Sequence, residues 1–168
     1  QLLADIQTFV EQRGSLEGKV VAWVGDGNNM CQTYIQAAEL CNFELRIACP
    51  KGFTPRAEHV ENYRHRVKLS ATPRDAVAGA DLVVTDTWAS MGQEDQKKER
   101  EQAFGAYQVN SELMSHANKG ALFMHCLPAY RGKEVSAELL DSPEAIVWEE
   151  AENRLHAQKA LIEFLLTN

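Results

Sequence analysis

The sequence predicts an α/β fold: a Rossmann-like three-layer sandwich, with a mostly parallel sheet of about five strands and helices on both faces. Short apolar segments at strand spacing alternate with longer segments in which apolar residues recur every three or four positions. The length of 168 residues, with 45% apolar and 24% charged residues, is typical of one soluble globular domain. Residues 1–168 are therefore expected to form a single domain.

The predicted strands are short apolar segments separated by turn-forming residues such as Gly18, Pro50 and Gly52. They fall at residues 20–24, 44–49, 67–69, 82–85 and 121–125, with a sixth extended piece at 146–148. Strands that alternate with helices at this spacing indicate a parallel sheet, because each crossover must carry the chain back to the same end.

The predicted helices are segments with apolar residues at helical spacing. They fall at residues 2–10, 30–41, 56–65, 111–117 and 151–166, with a short helix beginning near Pro73. Asn28 or Asn29 is positioned to cap the second helix, since an asparagine side chain accepts hydrogen bonds from the free N–H groups of a first turn. The sequence opens directly in an amphipathic helix, so we expect it to begin within a longer protein.

Charge and cysteine content limit the possible partners. The net charge of −7 argues against binding to nucleic acid or to an anionic membrane, because both are themselves negatively charged. The four cysteines form no C-x-x-C pair and no metal-ligand spacing, which predicts reduced thiols, a cytoplasmic location and no bound metal.

Polar clusters follow several predicted strands at the point where each strand ends. They are Gly25-Asp26-Gly27-Asn28-Asn29, Asp86-Thr87-Trp88-Ala89-Ser90-Met91-Gly92, His125-Cys126-Leu127-Pro128 and Glu149-Glu150-Ala151-Glu152-Asn153-Arg154. Ligands of open α/β sheets bind beyond the carboxyl ends of the strands, where the strand order reverses. The clusters therefore predict one binding site at this edge of the sheet.

The Gly25-Asp26-Gly27 turn has two interpretations, either tight packing between strand and helix or a ligand site. It lacks the third glycine of a dinucleotide fingerprint, and the Asp26 carboxylate would repel a pyrophosphate. A nicotinamide cofactor is therefore disfavoured. An asparagine amide at the start of the following helix could instead hold a small carboxylate.

Three further side chains each have a functional and a structural interpretation. Asp86 could hold a ligand ammonium group together with Ser90, or it could cap its own loop. Cys126 is a site residue or a buried inert thiol, and His125 is an unsuitable base for it because adjacent strand residues point to opposite faces. Arg154 faces an anionic oxygen or makes a surface ion pair.

Taken together, these motifs resemble those of ornithine carbamoyltransferases, specifically the C-terminal L-ornithine-binding domain of that family. The motifs stand in the family's order across the whole chain, and the Ser-Met-Gly and His-Cys-Leu-Pro motifs are its most specific part. Aspartate carbamoyltransferases share the fold but are not expected to carry these two. The resemblance implies transfer of the carbamoyl group of carbamoyl phosphate to the δ-amine of L-ornithine, giving L-citrulline and phosphate, without a cofactor.

The resemblance also implies which residues bind ornithine. Asn29 would bind the α-carboxylate, helped by the backbone N–H of Met91. Asp86 and Ser90 would hold the α-ammonium group.

A second set of residues is implied for the reacting end of the site. Cys126 and Leu127 would line the place where the δ-amine meets the carbamoyl group. Arg154 would contact carbamoyl phosphate, which makes Cys126 and Arg154 the candidate catalytic residues. Gln1 resembles the last residue of the family's His-Pro-x-Gln motif.

The family's carbamoyl-phosphate domain, with its Ser-x-Arg-Thr-Arg loop, has no counterpart in these 168 residues. The resemblance therefore implies that residues 1–13 and 151–168 are inter-domain helices of a longer enzyme, which is a homo-oligomer, a trimer or higher. Three alternatives stay open: a nucleotide-dependent oxidoreductase domain, a carbamoyltransferase for another amine such as putrescine or acetylornithine, and a regulatory domain that senses an amino acid.

Overall fold

The computed structural model describes residues 1–89 and 97–167. Helices and strands follow one another along this part of the chain. In order they are α1 (Leu2–Arg13), β1 (Val20–Val24), α2 (Asn29–Leu40), β2 (Glu44–Ala48), α3 (Ala57–Asn62), β3 (Val67–Leu69), α4 (Pro73–Val77), β4 (Leu82–Thr85), α5 (Lys97–Phe104), a 3-10 turn (Gly105–Tyr107), α6 (Ser111–Met114), β5 (Leu122–His125), α7 (Ala137–Leu140) and α8 (Val147–Thr167).

The strands form one five-stranded sheet in the order β3-β2-β1-β4-β5, and every pairing in it is parallel. The predicted fold class is therefore confirmed. Strand β1 lies at the centre, where Trp23 is paired with Ile47 of β2 on one side and with Val84 of β4 on the other. The direction of winding reverses between β1 and β4, so the loops after these two strands meet at the edge where a ligand is expected.

Both faces of the sheet are covered by helices, because successive side chains of a strand point to opposite faces. Val21 and Trp23 of β1 pack into one apolar core with Tyr34 of α2 and Phe9 of α1. The alternate residues Ala22 and Val24, with Val83 of β4, pack into a second core with α4 and α7. This burial on both faces explains why the strands read as continuous apolar segments.

Asn28 is the residue that caps α2. Its side-chain Oδ1 accepts hydrogen bonds from the backbone N–H groups of Met30 and Cys31 at 3.0 and 3.2 Å. The choice between Asn28 and Asn29 is thus decided in favour of Asn28. Its amide N–H group points away from the helix and remains available to the neighbouring loop.

The sixth extended piece predicted at 146–148 is wrong. Only an isolated bridge joins Ala145 to Phe123, and α8 begins at Val147, four residues before the predicted start. The Ile146 N–H donates to the carbonyl of Phe123 while the Ile146 carbonyl accepts from the N–H of Glu150. The apolar residues at 147 and 148 therefore form the first turn of a helix. The predicted helices at 56–65 and 111–117 are also shorter, at Ala57–Asn62 and Ser111–Met114.

Helices α1 and α8 pack against each other. The Asn153 side-chain amide of α8 donates to Thr8 Oγ1 at 2.9 Å and to Glu11 Oε2 at 2.7 Å. Beyond this contact the far end of α8 exposes large apolar side chains, namely Leu155, Leu161, Ile162, Leu165 and Leu166. Among the described residues, no helix has the length and apolar character to cross a membrane.

Candidate functional site

The Asp86 carboxylate is the polar centre of the predicted edge. Asp86 directly follows β4 and is 8% exposed. Its Oδ2 accepts from the Asn28 side-chain amide at 2.7 Å, and its Oδ1 accepts from the backbone N–H of Thr87 at 2.7 Å. The Cys126 thiol also donates to Oδ1, with 3.0 Å between sulfur and oxygen. The segments that follow β1, β4 and β5 therefore meet at one carboxylate.

Cys126 is a neutral hydrogen-bond donor in this arrangement. Burial raises the pKa of the Cys126 thiol well above its usual range, and the nearby Asp86 charge raises it further. A thiolate is the nucleophilic form of cysteine, and this environment opposes its formation. The geometry therefore favours a thiol that lines the site over a cysteine that attacks a substrate.

His125 points away from Cys126, as the alternation of strand side chains predicts. Its Nδ1 accepts from the backbone N–H of Leu127 at 3.0 Å, so Nε2 carries the proton and donates to Glu134 Oε1 at 3.1 Å. Glu134 Oε1 also accepts from the Tyr130 backbone N–H at 2.6 Å. Because His125 and Glu134 are both fully buried, they fix the turn that carries Cys126 and Leu127.

A second buried carboxyl holds the backbone of the same residue. Glu150 of α8 accepts from the His125 backbone N–H through Oε2 at 2.9 Å and from Gln1 Nε2 through Oε1 at 2.9 Å. The same Gln1 nitrogen donates to Asp5 Oδ1 at 2.7 Å, and the Tyr34 hydroxyl donates to Asp5 Oδ2 at 2.8 Å. Burial raises the pKa values of Asp5 and Glu150, and their mutual repulsion raises that of Glu150 further.

The sequence patterns do not identify Asn28 as a partner of Asp86, and they do not identify Asp5, Glu134 and Glu150 as buried groups that hold the site. One signal for Asp5 was present, because Leu2, Asp5 and Phe9 lie on the same face of the amphipathic helix α1. A charged residue on an otherwise apolar face indicates a buried polar contact.

The Gly25-Asp26-Gly27 turn is built for close packing. A Cβ atom on Gly27 would lie 2.2 Å from the backbone nitrogen of Pro55, and Gly25 has a φ of +137°. The Asp26 carboxylate accepts from the Arg100 guanidinium of α5. The tight-packing interpretation of this turn is therefore confirmed.

Arg100 of α5 packs over the Gly25-Asp26-Gly27 turn. Its guanidinium carbon lies 4.7 Å from the centre of the Phe53 ring and 5.2 Å from that of Phe104, and its Nε donates to the Trp88 carbonyl. Burial raises the pKa of Asp26, and the charge of Arg100 opposes this effect. The charge of Asp26 is thus used within the protein rather than turned towards a ligand.

The remaining predicted site residues lie around this centre. Asn29 is the first residue of α2 and has an exposed side chain, and Leu127 is half-buried beside Cys126. Arg154 is exposed on α8, one helical turn beyond Glu150 on the same side of the helix. Ser90 and Met91 lie outside the described residues.

Gln1 also lies at this edge, but its amide is bonded to Asp5 and Glu150. Within residues 1–89 and 97–167, His, Cys, Asp and Glu side chains do not converge in a group of three or more that could hold a metal ion.

Comparisons with known proteins agree with this geometry. The family model described as the Asp/Orn-binding domain of aspartate/ornithine carbamoyltransferase matches residues 17–165. The ornithine carbamoyltransferase of Methylococcus capsulatus is 65% identical over 167 residues, which are 99% of this chain and 56% of that protein.

Solved structures give the same result. The ornithine carbamoyltransferase of Burkholderia thailandensis has a TM-score of 0.89 at 49% identity, covering 99% of this chain and 53% of that one. The anabolic ornithine carbamoyltransferase of Campylobacter jejuni has a TM-score of 0.90 at 38% identity. That match covers 98% of this chain and 57% of the Campylobacter chain.

The chain spans about half the length of the relatives it matches. None of these relatives is named as an oxidoreductase, so the comparisons lend no support to the nucleotide-dependent alternative. Because the family model covers nearly all of the sequence, the chain belongs to the aspartate/ornithine carbamoyltransferase family and corresponds to its Asp/Orn-binding domain.

Proposed function

We propose that this chain is the ornithine-binding half of an ornithine carbamoyltransferase. The complete enzyme would transfer the carbamoyl group of carbamoyl phosphate to the δ-amine of L-ornithine, giving L-citrulline and phosphate. The observation that carries this proposal is the contact between the Asp86 carboxylate and the Cys126 thiol at the edge where the strand order reverses.

The two ends of ornithine have complementary groups here. Asp86 is a fixed anion that would hold the α-ammonium group, together with Ser90. Asn29 lies in the first turn of α2, a twelve-residue helix whose macrodipole favours a negative charge at this end. The α-carboxylate would therefore bind Asn29 and the backbone N–H of Met91, leaving the δ-amine to extend towards Cys126.

The δ-amine must lose a proton before it can attack. A free alkylamine has a pKa of about 10.4, so its neutral form at pH 7 costs roughly 4–5 kcal/mol. A thiolate beside the amine would raise this cost, because a negative charge stabilises the ammonium form. The raised pKa of the Cys126 thiol keeps that neighbour neutral, which favours the reactive amine.

The transfer step then needs groups that stabilise negative charge. The δ-nitrogen attacks the carbonyl carbon of carbamoyl phosphate and forms a new C–N bond. The bond from that carbon to the phosphate oxygen breaks, phosphate leaves, and the proton of the attacking nitrogen passes to phosphate or solvent. Arg154 would contact carbamoyl phosphate, since a guanidinium stabilises developing oxyanion charge. Gln1 would line the same end of the site through its amide oxygen, because its nitrogen already donates to Asp5 and Glu150.

The rest of the enzyme would come from a carbamoyl-phosphate domain outside this chain. The exposed apolar residues of α8, such as Ile162 and Leu165, support packing of residues 151–168 against such a domain, with residues 1–13 as the second inter-domain helix. The assembly would be a cytoplasmic homo-oligomer.

Three alternatives to an ornithine carbamoyltransferase are a putrescine carbamoyltransferase, an acetylornithine carbamoyltransferase and an amino-acid-sensing domain. Putrescine has no α-carboxylate for Asn29, and acetylornithine has no free α-ammonium group for Asp86. A domain that senses an amino acid without catalysis would bind ornithine but need no carbamoyl phosphate. All three can be separated in one assay.

The test replaces the matched share of the Methylococcus capsulatus enzyme with this chain and measures ureido-product formation from carbamoyl phosphate. We expect citrulline from L-ornithine and at least about tenfold less product from putrescine or acetylornithine, the effect of one lost charged contact. The isolated chain should give negligible turnover. A chimaera that folds and binds ornithine without forming citrulline would favour the sensing domain, and preferred turnover of another amine would reassign the substrate.

A further inference from the structure

We propose that Asp5 and Glu150 form a carboxyl pair sharing a single proton, and that Glu150 is thereby a positioning residue that fixes the backbone of His125 and Cys126 for the transfer reaction. The positioning part deepens the proposed function and rests on it. The shared proton rests on the burial and proximity of the two carboxyl groups and does not depend on the proposed function.

The two carboxyl groups are close and out of water. Asp5 is 2% exposed and Glu150 is 1% exposed. One nitrogen, Gln1 Nε2, lies 2.7 Å from Asp5 Oδ1 and 2.9 Å from Glu150 Oε1. Two buried carboxylates in such proximity repel each other strongly, so one of them keeps its proton.

The surrounding groups place the proton on Glu150. Asp5 accepts hydrogen bonds from Gln1 and from the Tyr34 hydroxyl, both of which stabilise its anion. The Tyr34 hydroxyl and the Cys126 thiol are the further titratable groups that face the pair, and the pKa of each is raised by burial, so both are neutral. Within the described ranges, no lysine or arginine forms an ion pair with either carboxyl group.

A protonated Glu150 can do two things at once. It donates its proton to Asp5, and its Oε2 accepts the backbone N–H of His125 at 2.9 Å. His125 is also held through its ring by Glu134, so both the backbone and the side chain of the residue before Cys126 are fixed. The position of the thiol next to Asp86 thus depends on a contact made by α8.

The shared proton is tested by infrared spectroscopy of the chain at pH 7. We expect a carbonyl-stretch band from a protonated carboxyl group, which shifts in deuterated water and is absent from Glu150→Gln. Glu149→Gln is the matched control, because Glu149 is the exposed neighbour on the same helix and its loss should leave the band unchanged. Absence of the band from the unchanged chain, or its persistence in Glu150→Gln, would overturn the shared proton.

The positioning role is tested by alkylation of Cys126, followed by peptide mass spectrometry, and by ornithine affinity. Glutamine keeps an acceptor for His125 and a donor for Asp5, so Glu150→Gln should match the unchanged chain within about twofold in both measurements. Glu150→Ala removes both contacts and should speed alkylation of Cys126 and weaken ornithine binding, each by about tenfold.

The fully buried Cys31 reports on unfolding, since its alkylation should not change in either variant. If Glu150→Ala also exposes Cys31, that variant is unfolded, and the positioning role is then judged from Cys126 alkylation in Glu150→Gln and in the unchanged chain. A large loss of Cys126 protection in Glu150→Gln, or none in a folded Glu150→Ala, would contradict positioning. Failure of the unchanged chain to bind ornithine would count against the proposed function, while the infrared and alkylation results would still decide the role of Glu150.

Discussion

The Cys126 thiol donates a hydrogen bond to the Asp86 carboxylate, with 3.0 Å between Sγ and Oδ1. Two of the predicted site residues, which follow different strands, are therefore partners at one site. Asn28 holds the other oxygen of the same carboxylate at 2.7 Å, so the orientation of Asp86 is fixed before any ligand binds. A fixed anion beside a neutral thiol suits a substrate with a cationic group at one end and a neutral amine at the other.

Asp86→Asn should weaken ornithine binding by about 10–100-fold, because a hydrogen bond to a charged group is worth about 1.5–3 kcal/mol. The measurement is a calorimetric titration of each variant with L-ornithine. Asp141→Asn is the control, since Asp141 is an exposed carboxylate paired with Arg131 outside the proposed site. Equal affinity of Asp86→Asn and the unchanged chain would remove Asp86 from the binding site.

The thiol of Cys126 should alkylate slowly at neutral pH. The midpoint of its alkylation rate against pH should lie above 9.0, the ordinary pKa of a thiol. Asp86→Asn removes a negative charge next to the sulfur, so its midpoint should fall, yet stay above 9.0 because burial is the largest cause of the shift. The pH dependence of iodoacetamide modification at Cys126 measures both. An alkylation midpoint near pH 7 would indicate a thiolate and would support Cys126 as a nucleophile.

Arg100→Met should destabilise the fold by about 3–5 kcal/mol near pH 8, because the buried carboxylate of Asp26 loses its counter-charge. The penalty should shrink towards pH 5, since burial raises the pKa of Asp26 and an uncompensated carboxyl group protonates more readily. Chemical denaturation at the two pH values measures both effects.

The double variant Asp26→Asn/Arg100→Met serves as the control for this ion pair. It leaves no unpaired charge and should be more stable than Arg100→Met alone. A double variant as unstable as the single one would mean that packing of Arg100 on Phe53 and Phe104 dominates over its charge.

Gly27→Ala should cost about 3 kcal/mol of unfolding free energy, because the new methyl group would overlap the backbone at Pro55. Gly105→Ala is the matched control, since a Cβ at that position meets no atom within 4 Å, and should change stability by less than about 1 kcal/mol. Denaturant unfolding of both variants gives the comparison. Equal stability of the two would show that the turn after β1 is looser than its packing indicates.

The stability of the chain should depend on pH through Glu150. Its raised pKa means that the folded chain binds a proton which the unfolded chain releases above the ordinary value of 4.5. Stability should therefore fall as pH rises from 4.5 through the folded-state pKa, by up to about 1.4 kcal/mol per pH unit for one proton. The free energy of unfolding of Glu150→Gln should depend less steeply on pH, because this variant has no proton to lose at position 150. Glu149→Gln should keep the pH dependence of the unchanged chain. Parallel profiles for all three proteins would contradict a buried proton at Glu150.

The sheet and most helices could be predicted from the sequence, because the period of apolar residues directly reflects burial on one face or both. The segment at 146–148 could not. A short run of apolar residues fits a buried strand and the first turn of a buried helix equally well. Here the hydrogen bond from the Ile146 N–H to Phe123 and the bond from Glu150 back to Ile146 decide for the helix.

Asp86 and Cys126 could be predicted as neighbours because each follows a strand of the same parallel sheet. Glu150 could not be recognised, since it stands among other glutamates that are exposed and look alike in the sequence. Its burial depends on the packing of α1 against α8, which joins residues 149 positions apart at the contact with Gln1. Such long-range pairing leaves no periodic pattern in one sequence.

A calorimetric titration of the purified chain with L-ornithine, with putrescine and NADH as controls, decides whether this chain carries a working ornithine site. We expect saturable binding of ornithine, no binding of NADH, and loss of ornithine affinity in Asp86→Asn. Binding of putrescine as tight as that of ornithine would contradict the assignment of Asn29 and Asp86 to the α-amino-acid end. Absence of ornithine binding by the folded chain would contradict a working site in this half of the enzyme.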